Sequence, residues 1–126
     1  MSKRISSTHV DSINLPRQLQ EGLDKADHLL AQGKPLQALS LLHEIDKKFP
    51  HQPDILGLMV NTYLDTGNQH DYLHAVYNLH ELTPNQAGVK LGLAGAYLSN
   101  GYLALALQTF RQILKHWSRD ERVSYV

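Results

Sequence analysis

His70 and His74 stand four residues apart in QHDYLHAVYNLHEL, the spacing at which two imidazoles on one helix face can meet a single ion. Two ligands do not make a site. Asp71 and His80 are near in sequence, yet neither is placed as a clear third ligand, and no HExxH signature is present. Surface histidine is the plainer reading, so no metal site is expected. Without any cysteine, the chain has no thiolate nucleophile, disulfide or cysteine metal site. It has no glycine-rich phosphate loop, and no serine, histidine and carboxylate set carries a recognisable local signature. No catalytic residue and no cofactor are therefore expected. What remains is non-covalent chemistry: aspartates at 24, 27, 54 and 65, and three glycines close together at 88, 92 and 95.

The elements that position these residues follow from a repeat. Gly33, Gly67 and Gly101 are 34 residues apart. Tyr63 and Tyr97 share one phase with Leu29, and Leu30, Leu64 and Leu98 follow one step later. Ala38 matches Ala106; Leu42 matches Val76 and Phe110; Ile45 matches Leu79 and Ile113; Pro50 matches Pro84. A fixed period of this length marks a stacked array of one supersecondary unit. Before Gly33, Leu23, Ala26, Leu29 and Leu30 recur at helical spacing, and after it Leu36, Leu39, Leu42 and Ile45 do the same. The glycine ends the first helix in a left-handed conformation. Pro35 suits the first turn of the second helix, and Pro50 and Pro84 stop second helices. The fold class expected is all-α, a right-handed superhelical solenoid of helix-turn-helix repeats at about 19–52, 53–86 and 87–120. They lie within 17–120, between a polar N-terminal tail over 1–16 and a C-terminal remnant over 121–126.

Composition narrows the partners. Twelve basic and twelve acidic residues balance among 126, which is not the electrostatic footprint of a nucleic-acid binder. The opening MSKRISSTHVDSIN has no apolar run and does not read as a secretory signal. LGLAGAYL is too short to span a bilayer. Cytoplasmic residence without membrane insertion is the expectation.

The joint phase of Gly33, Ala38, Leu42 and Pro50, repeated as Gly101, Ala106 and Phe110 with Ser118 in place of proline, resembles the tetratricopeptide repeat. The small residue early in the first helix is Ala26 and Ala94, with Val60 between them. Tyr63 and Tyr97 take the aromatic position three further on. The resemblance covers roughly residues 19–120. Two departures stand out. Tyr72 occupies a slot where alanine lets helices approach, so either that pair is splayed or the ring swings outward. After Trp117 only SRDERVSYV remains, too short for the extra helix that usually covers a last repeat.

The resemblance implies a non-enzymatic protein-interaction module whose first helices line a concave groove. The groove face is then Leu23 and Asp27 in the first unit, Asp54, Gly57, Leu58, Asn61 and Asp65 in the second, and Gly88, Leu91, Gly92, Gly95 and Ser99 in the third. One half is acidic, the other lined with small residues. Glycine inside a helix costs up to about 1 kcal/mol against alanine, so three in one helix need a reason. Close approach of a ligand and tight stacking of neighbouring helices both supply one. The family's best-known ligand mode grips C-terminal carboxylates of heat-shock chaperones with basic residues. Here Leu23, Gly88 and Gly92 stand where those bases belong and only Asn61 is compatible. A neutral or basic segment of another protein is the partner expected. The alternative is a small chaperone or assembly subunit, similar in size to three-repeat chaperones of bacterial secretion systems. It would shield a partner or form a homodimer through Leu103, Leu107, Leu114 and Trp117 of the last helix, whose apolar residues cover more than one face.

Overall fold

The computed structural model describes residues 16–117. The expected N-terminal tail apart from Pro16, Ser118 and the C-terminal remnant lie outside the described residues. Six helices follow in order: α1 (Arg17–Ala31), α2 (Pro35–Lys48), α3 (Pro53–Thr66), α4 (Gln69–Leu82), α5 (Ala87–Ser99) and α6 (Leu103–Trp117). Among the described residues there is no strand. The chain divides into two compact units between Ile55 and Leu56.

The three periodic glycines do one job. Gly33, Gly67 and Gly101 have φ of 74°, 73° and 84°, a left-handed conformation that costs glycine nothing and any side chain something. At each, the glycine N–H donates three residues back, to the carbonyls of Leu30, Leu64 and Leu98. The following N–H, of Lys34, Asn68 or Tyr102, donates five back, to Leu29, Tyr63 or Tyr97. This paired pattern is a Schellman cap. The three periodic positions are thus three copies of one helix stop, as the sequence implies for Gly33.

The starts are less uniform. Pro35 occupies the first turn of α2, where a missing N–H is harmless. α4 instead has Asn68, whose side-chain oxygen accepts from the Asp71 N–H at 3.3 Å while its amide donates to the Asp71 carboxylate at 2.7 Å. That arrangement satisfies one orphan N–H of the first turn.

In the first unit α1 packs on α2. Leu19, Leu23, Ala26, Ala38, Leu39, Leu42 and Ile45 are buried there. Gly22 lies against Ile45: a Cβ at residue 22 would collide with Ile45 Cδ1 and come within 2.9 Å of its Cγ1. The second unit packs α4 on α5 and α5 on α6. Val76, Leu93 and Ala96 form its core, with Val60, Tyr72, Leu73, Val89 and Tyr97 packed around them. Buried Thr62 and Thr109 keep their hydroxyls satisfied inside their own helices, each donating to a carbonyl one turn back, of Leu58 and Leu105, at 2.7 Å. A buried hydroxyl left unpaired would cost about 1–3 kcal/mol.

Tyr72 does not swing into solvent. Its ring is half-buried in the second-unit core, and its hydroxyl donates to the Gly92 carbonyl at 3.5 Å. The bulk that replaces alanine on α4 is thus met by a glycine on α5.

Candidate functional site

Leu23 of the expected groove face is not available to a ligand. It is 6% exposed and belongs to the first-unit core, because it lies between Leu19 and Ala26 in the buried stripe of α1. Asp27, on the same helix, is exposed. On α3, Asp54, Asn61 and Asp65 are exposed, and Gly57 and Leu58 are half-buried. On α5, Gly88, Leu91 and Ser99 are exposed, and Gly92 and Gly95 are half-buried. Val60 of α3 packs on the same core as Leu93 and Ala96 of α5.

The glycines on these helices differ in what surrounds them. A Cβ at Gly92 would lie 3.2 Å from the Tyr72 hydroxyl and 3.5 Å from Val76 Cγ2. At Gly57, Gly88 and Gly95 it would meet nothing within 4 Å. The packing of the described residues therefore requires a small residue at 92 and leaves 57, 88 and 95 open. Beside Gly88 and Gly95, Leu91 is 54% exposed.

α6 divides along its length in a similar way. Ala106 and Thr109 are buried, and Phe110 and Ile113 are half-buried, while Leu103, Leu107 and Leu114 lie open to solvent. Leu107 also edges a shallow cleft of about 350 Å³ with Ala104, Gln108, Arg111, Gln112 and Lys115. The helix ends at Trp117, whose side chain lies outside the described residues.

His70 and His74 do meet. Their rings stand edge to face with centroids 4.8 Å apart. Among the described residues no three or more histidine, aspartate or glutamate side chains gather as a metal site would need. His80 does not extend the pair; its Nε2 is buried with no hydrogen-bond partner.

The histidine pair opens instead onto a feature that sequence reasoning missed. His70, Leu73, His74, Tyr77 and Asn78 of α4, Tyr97 of α5, Tyr102 and Leu105 of α6 line a cleft of about 410 Å³. Tyr97 and Tyr102 are perpendicular, with ring centroids 6.4 Å apart. The Tyr97 hydroxyl is raised above the ordinary tyrosine value of 10.0 by burial, then by the Tyr77 hydroxyl and the Glu81 carboxylate. The available signal was weak: Tyr97 and Tyr102 flank the turn at Gly101, and Tyr77 falls on the outer side of α4.

A family model described as tetratricopeptide repeat matches residues 29–68. Among solved structures, a MamA RS-1 ArsTM double mutant superposes with a TM-score of 0.71 at 18% identity, over 86% of this chain. This chain spans only 61% of that one, and at such identity the likeness speaks for fold alone. No curated protein matches the chain.

Proposed function

From the match of residues 29–68 to the tetratricopeptide-repeat model and the likeness in fold, we propose that the chain is a tetratricopeptide-repeat protein and a non-enzymatic protein-interaction module, which holds a peptide or helix of its partner against the first helices of its second unit. The observation that carries this reading is the open space at Gly88 and Gly95 on α5, beside exposed Leu91 and Ser99. A helix tolerates such glycines at a cost, and no neighbour within 4 Å accounts for them. A ligand backbone that approaches closely would. Leu58 and Leu91 supply apolar contact and Asn61 a hydrogen-bonding amide, as in helix-in-groove and extended-peptide recognition. Asp65 favours a neutral or basic segment. Gly92 contributes from below by seating Tyr72.

Affinity capture from the native lysate, run side by side with wild type and Gly95→Leu, tests the proposal. The expected outcome is a partner present with wild type and absent with the variant, with unchanged far-UV circular dichroism. Equal recovery by a folded variant sinks the groove reading.

One observation favours a second reading. Leu103, Leu107 and Leu114 expose a contiguous apolar side of α6, the kind of patch that marks an interface. A chaperone-like subunit would use it to shield a partner, or two copies would bury it together. Sedimentation separates the cases: a dimer that Leu107→Glu dissociates supports self-association, and a wild-type monomer at high concentration rules it out. The cytoplasmic setting belongs to the same proposal and is checked by cell fractionation. No helix among the described residues is long and apolar enough to cross a membrane.

A further inference from the structure

We propose that the tyrosine-lined cleft between α4 and α6 is a second binding site, which receives the guanidinium of an arginine side chain on a protein partner. This does not rest on the reading of α5 above.

The cleft is built on a fixed turn. Tyr97 and Tyr102 flank the left-handed Gly101, and the Tyr102 N–H donates to the Tyr97 carbonyl at 2.8 Å. Asn100, between them, donates its amide to Ala96 O at 2.8 Å and across to Gln69 O on α4 at 3.0 Å. The next residue, His70, begins the α4 wall. The backbone that carries Tyr97 and Tyr102 is therefore fixed by hydrogen bonds on two sides, which removes part of the usual cost of organising a site on binding.

The chemistry selects the occupant. Two tyrosine rings meet at 83°, and Tyr77 and Tyr102 are 45% and 52% exposed, so their faces are open to a visitor. An aromatic face carries negative potential and attracts a cation placed over it. None of the lining residues is lysine or arginine, so no cation of the cleft itself occupies those faces. Glu81 lies one turn beyond Tyr77 on α4, and its charge reaches Tyr97. An anion would find no cationic lysine or arginine here. At about 410 Å³ the space is near the lower end for ligand pockets, which suits one long side chain and not a helix. A planar guanidinium stacks on a ring where an ammonium only sits above it, and its aliphatic stem can lie over Leu73 and Leu105.

The test uses two blocked pentapeptides with one central residue in a glycine–serine frame. One carries arginine, the other citrulline, which keeps the shape and loses the charge. Each is titrated into the full chain at about pH 8, above the ordinary histidine range, while the tyrosine ring resonances are followed by NMR. The expected result is saturable movement of the Tyr77, Tyr97 and Tyr102 rings by the arginine peptide, with citrulline weaker by about 5-fold or more. Tyr77→Leu and Tyr102→Leu each weaken the arginine peptide by about 5-fold, and Glu81→Gln by about 2-fold. Both tyrosines are exposed, so the helical signal should be preserved, and the wild-type comparison of the two peptides decides even if a variant fails to fold. Equal affinity for both peptides overturns the proposal, as do ring resonances that stay fixed up to about 10 mM arginine peptide, beyond the range of a useful site.

Discussion

One face of α5 carries the same residue for different reasons along its two edges, since positions 88, 92 and 95 fall together at helical spacing. Toward α4, Gly92 faces Tyr72 and Val76, and a Cβ there would crowd the Tyr72 hydroxyl and touch Val76. At the other edge, a Cβ at Gly88 or Gly95 would meet nothing within 4 Å. The packed side shows glycine making room for a neighbour's bulk, as Gly22 does for Ile45 on α1. The open side shows glycine that the fold of the described residues does not demand. The difference separates a glycine that packing explains from those that packing leaves open to the proposed partner, and it gives experiments a place to separate them.

The largest effect is expected on the packed side. Gly92→Leu drives a side chain into Tyr72 and Val76 and should destabilise by about 3 kcal/mol, the upper range for overpacking, as measured by urea unfolding. Tyr72→Ala in the same chain should recover part of that loss, with a coupling of about 1–2 kcal/mol. Additive losses would mean that the two residues do not answer each other. Next comes the turn at Gly101, whose φ of 84° disfavours a side chain: Gly101→Ala should cost about 1–2 kcal/mol. Thermal melts of that variant and of the matching change at Gly33 should agree, since both close the same cap. A smaller change of opposite sign belongs to the open side. Gly95→Ala should stabilise by about 0.5–1 kcal/mol through helix propensity alone, and a loss there would reveal an unrecognised packing role.

The smallest effect is electrostatic and again marks the packed side. Burial raises the Tyr72 hydroxyl above the ordinary 10.0. Burial also raises Tyr63, helped by the Asp71 charge, and Tyr97. The folded chain keeps these protons while the unfolded chain gives them up. Stability is therefore full below about pH 10 and declines as pH rises above it. Tyr72→Phe should make that alkaline decline shallower, which a pH series of melts would detect; an unchanged slope would show that Tyr72 does not contribute.

Much of this was legible in the residues because it is local. A cap closes within six residues, so the 34-residue spacing of Gly33, Gly67 and Gly101 announced helix, turn and helix without reference to anything distant. The face of a helix follows from its period, and Leu91, Asn61 and Asp65, read as outward, are exposed. It failed at Leu23, which was read onto both faces of α1 and is buried in the stripe with Leu19 and Ala26. Pairings across helices were not legible. Tyr72 and Gly92 each looked anomalous alone, and nothing in local periodicity joins residues 20 apart. Gly22 drew no notice because its reason, Ile45, sits on the next helix. The tyrosine cleft escaped for the same cause: α4, α5 and α6 each contribute a wall that means little by itself.

The central claim is that the open side of α5 is where the partner lies. It is tested most directly by the dissociation constant of the captured partner for wild type and for Gly95→Leu, with circular dichroism and a thermal melt on the same samples. The account predicts a variant folded at least as stably as wild type that binds about 30-fold more weakly or not at all, the scale of an interface hot spot. A folded Gly95→Leu protein that binds with wild-type affinity would contradict it.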